Sequence, residues 1–161
     1  MTEAPSVSIA PARFPDDTDI VRRLFAEYID SLRVDLSFQD VDAELADLPG
    51  KYAPPAGMIL IARDNADYPV GCVALRPLPE PAACEMKRLY VRPQARGQDL
   101  GRRLAEQIIA YAREAKYARI LLDTLASMHA AQKLYASLGF RPTAPYYANP
   151  MPGTLYLALD L

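Results

Sequence analysis

Ala83-Cys-Glu-Met-Lys-Arg-Leu-Tyr-Val-Arg-Pro-Gln-Ala-Arg-Gly-Gln-Asp-Leu-Gly-Arg-Arg-Leu104 reads as a strand, a short turn and the opening of an arginine-rich helix. The first N–H groups of such a helix have no intrahelical partner, and the turn directs them at one point in space. The helix dipole adds partial positive charge at that point. Gly97 removes the Cβ that would hold an anion away from the backbone. A diphosphate suits this arrangement. From Lys87 to Arg103 there are five arginines and one lysine against a single acid, Asp99, although the whole chain carries net charge −2 with 18 basic and 20 acidic side chains. A basic patch in a mildly acidic protein points to a small anionic ligand. The overall balance argues against a general nucleic-acid-binding surface.

The chain has 161 residues, 51% hydrophobic and 24% charged, which suits one domain over residues 1–161 with its own core. Cys72 and Cys84 sit inside apolar runs and read as reduced, buried, small hydrophobes. Two cysteines and one histidine, His129, leave little for a zinc site, so no metal is expected. The start, Met-Thr-Glu-Ala-Pro-Ser, lacks a basic segment followed by an apolar one. No apolar run approaches membrane-spanning length. The expectation is a cytoplasmic protein without nucleic-acid or membrane partners.

Outward from the central stretch, Val7 to Ala10 reads as a strand. Pro15-Asp16-Asp17-Thr18 opens a helix whose apolar positions include Val21, Leu24, Phe25 and Tyr28. Val41, Leu45 and Leu48 suggest a short second helix inside a flap that runs from Ser31 to Pro55. Met58–Ala62 and Val70–Leu75 form a hairpin. Leu100 to Ala115 is a long amphipathic helix, and Ile120-Leu121-Leu122 a central strand. A helix capped by Ser127 and stopped at Gly139 follows. Pro145–Pro152 is a proline-rich aromatic loop, and Leu155–Leu161 a closing strand. A hairpin first and strand–helix–strand later imply an α/β (α+β) fold: a mixed, mostly antiparallel sheet of six to seven strands with about four helices packed on both faces.

Two motifs give this pattern a family. Gln94-Ala95-Arg96-Gly97-Gln98-Asp99, then Leu100-Gly101, resembles the Gln/Arg-x-x-Gly-x-Gly/Ala turn of the GNAT family of acetyl-CoA-dependent N-acetyltransferases. Leu134-Tyr135-Ala136-Ser137-Leu138-Gly139-Phe140 resembles that family's aromatic helix ending in Leu-Gly-Phe, in the same order and at the same spacing. The resemblance spans essentially the whole chain and is strongest from Ala83 to Phe140. It implies two central parallel strands that splay apart, with acetyl-CoA as co-substrate between them. A Rossmann dinucleotide enzyme is excluded, because the glycine turn comes late and no acidic residue follows at the ribose position.

The resemblance also implies roles. Leu89, Tyr90 and Val91 would pair with the pantetheine arm through their backbone, and an N–H there would polarise the thioester carbonyl. Gln94, Arg96, Gly97, Gln98, Asp99, Leu100, Gly101 and Arg102 would hold the diphosphate. Arg103 would add charge, and Lys133 would approach the ribose phosphate. Tyr135 stands at the general-acid position, where a phenol with an ordinary pKa near 10 keeps its proton at neutral pH; it is otherwise a core tyrosine. Glu85 is the general-base candidate, or else a strand glutamate paired with Lys87 or an arginine. His129 reads as a surface residue. Asp99 stands where the family has Gly or Ala. Turned toward a diphosphate it would repel it, at on the order of 1 kcal/mol if exposed; turned to water it complements the helix dipole. Tyr146, Tyr147 and Asn149 are candidate acceptor contacts.

These residues fit transfer of an acetyl group to a primary amine on a small molecule. They also fit an acyl-CoA-sensing module of the same fold, or an acetyltransferase acting on protein lysines or N-termini. The bulk of the flap and of the aromatic loop favours a small acceptor. A homodimer through the final strand's edge stays open.

Overall fold

The computed structural model describes residues 6–35 and 40–161. Within the flap expected from Ser31 to Pro55, residues 36–39 therefore lie outside the described part. Seven strands form one sheet in the order β1-β2-β3-β4-β5-β7-β6. They are β1 (Ser8–Pro11), β2 (Met58–Arg63), β3 (Pro69–Pro77), β4 (Ala83–Val91), β5 (Arg119–Thr124), β6 (Arg141–Pro142) and β7 (Leu155–Asp160). The helices are α1 (Thr18–Leu32), α2 (Val41–Ala46), α3 (Leu100–Glu114) and α4 (His129–Ser137). Every pairing is antiparallel except β4 with β5. That parallel pair is joined through α3, the crossover that parallel neighbours require.

Side-chain alternation in β2 and β3 divides the interior into two cores. Leu60, Val73 and Leu75 face Leu104 and Ile108 of α3, with Tyr135 and Phe140 beyond. Ile59, Ile61, Cys72 and Ala74 face Val21, Leu24 and Phe25 of α1. Both faces are covered, so these strands read as near-continuous apolar runs. Gly71 of β3 sits where the chain is crowded: a Cβ there would lie 2.8 Å from Tyr90 O and 3.2 Å from Leu104 Cδ1.

Two irregularities in β4 position the site. Its pairing with β5 covers only Ala83–Arg119, Cys84–Ile120 and Glu85–Leu121, so the strands part beyond Glu85. Its register with β3 shifts between Cys72 and Ala74, which places an extra β4 residue opposite Val73. That is a β-bulge. Arg88 lies in it with φ 60°, a left-handed conformation that costs a residue with a Cβ on the order of 1 kcal/mol.

Two local expectations need correction. Met128, not Ser127, precedes α4, and no side chain caps that helix; the backbone carbonyl of Ser127 instead accepts from His129 N–H. The two-residue β6 was not anticipated, because Arg141-Pro142 carries no alternation to read. Gly139 ends the α4 region as expected, with φ 100°.

Leu104 is fully buried between α3 and the sheet. Leu104→Ala should lower unfolding free energy by about 3 kcal/mol, measured by urea denaturation.

Candidate active site

The diphosphate turn is built as its sequence suggests. After β4 a single helical turn, Pro93–Ala95, leads to Gly97 at φ 86° and Asp99 at φ 59°, the residue preceding α3. A Cβ on Gly97 would meet no protein atom within 4 Å, so the space above the turn is open. A cavity of 430 Å³ lies there, with Gly97, Leu100 and Gly101 on one wall and Lys133, Leu134 and Ser137 of α4 on the other. Val91, Arg96, Asp99 and Arg102 complete it. Arg96 Nε donates to Val91 O at 3.0 Å, and an Arg102 NH2 donates to Ser137 Oγ at 2.7 Å. Gln94 and Gln98 are exposed and off the cavity wall. Arg103 leaves the region, donating to Val7 O at 2.9 Å.

The position of Asp99 has a backbone reason. It is left-handed, the conformation glycine adopts most readily, and Asp tolerates it better than most other residues. Its side chain is 73% exposed and lies 3.7 Å from Arg102 Nε. It therefore complements a guanidinium and faces water.

On the opposite side of the sheet, alternation brings Glu85 and Lys87 of β4 to one surface. Glu85 is 1% exposed. Its Oε1 accepts from Arg76 Nε at 2.9 Å, across the β3–β4 register, and its Oε2 accepts from Tyr146 O–H at 2.5 Å. These groups, with Leu78, Pro79 and Tyr147, line a cavity of 310 Å³. Asp123 of β5 is a second carboxylate nearby. It accepts from Tyr147 O–H and, at 3.0 Å, from the Asn149 amide. Tyr146 and Tyr147 each meet Tyr156 edge to face and are tilted against one another, centroids 5.4 to 5.8 Å apart. Burial is the main cause that pushes the Tyr146 and Tyr147 hydroxyls up, and Glu85 and Asp123 respectively add to it. Both phenols stay protonated and donate. Lys87 is pushed down to about 8, first by burial and then by Arg88, with Glu85 and Asp123 opposing and Arg76 adding.

Tyr135 belongs to α4, on the α3 side of the sheet, and packs edge-on to Phe140 at 5.8 Å. Burial raises its hydroxyl most, and Tyr28 and Asp123 raise it further. Both of those belong to the α1 side. Tyr28, 5.9 Å from the Tyr90 ring, is itself pushed up to about 12, mainly by burial. Thr124 Oγ1, at the end of β5, is buried without a hydrogen-bond partner among the described residues.

Sequence reasoning thus placed Glu85, Tyr146, Tyr147 and Asn149 in what the structure brings together as one cluster. It did not single out Asp123, Lys87, Arg88 or Tyr28. Two signals were available. Asp123 is a lone charge closing an apolar run, and Lys87-Arg88 puts two successive charges in a strand that otherwise alternates. His129 is exposed, as expected. Among the described residues there is no His/Cys/Asp/Glu group that would hold a metal ion, and no helix is long and apolar enough to cross a membrane.

Comparison with known proteins bears on the family and the fold. The family model described as Acetyltransferase (GNAT) family matches residues 21–140. The uncharacterized N-acetyltransferase C1271.07c of Schizosaccharomyces pombe is 44% identical over 161 residues, covering 100% of this chain and 99% of its own length. N-acetylaspartate synthetase of Danio rerio is 31% identical over 130 residues, 80% of this chain and 46% of that protein. A Salmonella typhimurium structure with its cofactor acetyl-CoA shares the fold, with TM-score 0.71 and 20% identity over 96% of this chain and 93% of its own.

Two outcomes are expected from these groups. Asp99→Gly should leave the affinity for coenzyme A within about twofold, by calorimetry, because the carboxylate is solvated. Lys87 has a folded-state pKa below its unfolded value, so burying its charged form costs stability below about pH 8, and that cost fades as pH rises toward about 10.4. Lys87→Met should therefore be more stable than the parent protein at pH 7, with the gain shrinking by pH 10 in denaturation series.

Proposed function

The chain belongs to the acetyltransferase (GNAT) family, and on that premise we propose that it acetylates the primary amine of a small molecule by direct attack on acetyl-CoA in the cytoplasm. The observation that carries this reading is the open seam between β4 and β5 beyond Glu85. Beyond Glu85 the β4 edge that faces β5 has no strand partner, which leaves Leu89, Tyr90 and Val91 without a β5 neighbour and open to pairing with an extended ligand.

The residues present fit acetyl-CoA. The N–H groups following Gly97 would take the diphosphate, with Arg96, Arg102 and Lys133 beside them. The β4 edge would pair with the pantetheine arm as a missing strand would, and Thr124 Oγ1 offers one more buried polar partner. Acetyl-CoA supplies an acyl carbon activated by a thioester. Glu85 accepts the ammonium proton of the acceptor, exchanging its bond from Tyr146 for the incoming donor. The backbone N–H groups after the bulge stabilise charge on the carbonyl oxygen. Tyr135, protonated at neutral pH, gives its proton to the departing sulfur and regains one from the nitrogen as the amide forms.

The 310 Å³ cavity and its tyrosine wall support a small acceptor over a protein tail. Arg76 and Lys87 in that wall suit an acceptor that carries a carboxylate. The similarity to an N-acetylaspartate synthetase makes amino acids the first class to test. The outer edge of β7 pairs with β6 at Leu157 and Ala158 and accepts from Thr143 N–H at Tyr156 O, and the stretch beyond Ala158 supports pairing with a second copy of the chain.

The test is thiol release from acetyl-CoA against a panel of amino acids and simple amines. Turnover is expected with at least one amine. Tyr135→Phe should lower kcat by about 100-fold while coenzyme A still binds; an unchanged rate removes Tyr135 from the acid role. Binding of coenzyme A without release for any amine would favour the sensing module instead.

A further inference from the structure

Arg88 is an unusual residue to find in the β4 bulge. It is left-handed, it carries a long side chain, and that side chain is 3% exposed. Glycine would hold this backbone shape with less strain. Something outside the strand must therefore favour the shape, and the contacts identify it. Glu44 of α2 accepts from Arg88 Nε and from an Arg88 NH2, each at 3.0 Å, in a two-pronged pair. Such a pair fixes direction as well as distance. Glu44 is itself held from the other side, because Tyr52 O–H donates to its Oε1 at 2.9 Å. Tyr52 is buried edge-on against Phe25 of α1 at 5.8 Å. The pair is thus anchored in the α1 core. Burial pushes the Glu44 carboxyl up, but the bonds and charge of Arg88 outweigh it and the net shift is down, so the carboxylate is charged at neutral pH. Within the bulge, Cys72 Sγ donates to Arg88 O at 3.3 Å, which pins the carbonyl.

The partner helix is as informative as the pair. α2 has six residues and buries none of them fully. It walls a 220 Å³ cavity with Asp40, Glu44 and Asp47, and that cavity shares Asp40 and Arg76 with the Glu85 cavity. The helix that borders the neighbouring cavity is therefore tied to the sheet at the bulge residue Arg88.

We propose that Glu44 is a positioning residue for acetyl transfer: by gripping Arg88 it holds the β4 bulge in the form that presents the following backbone N–H groups to the thioester carbonyl, and it couples that seat to α2. This rests on the acetyl-CoA reading above. Glu44 touches no reacting atom in this scheme and acts through Arg88.

The scheme makes Glu44 matter for a ligand with a thioester carbonyl and not for one without it. Calorimetry with acetyl-CoA and with coenzyme A, which lacks that carbonyl, separates the two. Glu44→Gln should weaken acetyl-CoA by about tenfold, the worth of a lost charge-assisted bond, and leave coenzyme A unchanged. Tyr52→Phe removes one hydroxyl and should shift acetyl-CoA in the same direction by about threefold, with native thermal melting showing that the fold is intact. In an Arg88→Gly background, adding Glu44→Gln should change neither affinity, since the grip is already gone. Equal weakening of both ligands would show a merely structural role and overturn the proposal. A further loss of acetyl-CoA affinity from Glu44→Gln in the Arg88→Gly background would overturn it too, by showing that Glu44 acts on the ligand directly. If the unaltered protein binds neither ligand, the acetyl-CoA reading itself fails, and this proposal falls with it.

Discussion

The parting of β4 from β5 after three paired positions is the constraint on which the site depends. Parallel neighbours normally satisfy each other's backbone along their length, and a strand left open inside a sheet carries unpaired N–H and C=O groups. Here the opening is enforced from both ends. Ala83–Glu85 and Arg119–Leu121 hold the strands together at one end. At the other, the bulge at Arg88 turns β4 away, while β5 stays paired with β7 as far as Thr124 and Leu155. The seam is therefore set by the backbone, and the side chains of the site are distributed around it.

The charges follow from that geometry. Glu85, Lys87, Arg88 and Arg92 are all buried in or just beyond a single strand. Removing such groups from water is costly unless each finds a partner. Glu85 has Arg76 and Tyr146, Arg88 has Glu44, and Arg92 donates to Glu27 Oε2 at 2.6 Å and to Pro69 O at 2.8 Å. The partners come from α1, α2, β3 and the aromatic loop before β7. These ion pairs tie the outer elements to the strand that borders the seam.

Much of this was legible in the residues. The central stretch from Ala83 to Leu104 is the observed strand, turn and helix start, because Pro93 and Gly97 punctuate it between the Leu89-Tyr90-Val91 run and the apolar positions Leu100 and Leu104. The apolar stripe of α3 predicted the face it buries. Asp99 could not be settled from its type alone, since its backbone conformation decides where the carboxylate points. The splaying of the two parallel strands was expected only by family resemblance, and the lock on the bulge in β4 was not visible at all. Glu44 and Arg88 are 44 residues apart, and nothing local in either segment reveals that a bend in one strand depends on a short helix elsewhere. Likewise, the cluster at Asp123 forms only because the loop carrying Tyr147 and Asn149 folds back over β5.

The light attachment of α2 has an evolutionary side. None of its six residues is fully buried, and exposed positions such as Asp42 and Ala43 lie outside both hydrophobic cores; surface substitutions of that kind are commonly near neutral for stability. Substitutions on its exposed positions reshape the wall of the 220 Å³ cavity while the sheet and the glycine turn are kept. Within that helix Leu45 packs against the α1 core, and Glu44 is the position where change reaches the bulge of β4.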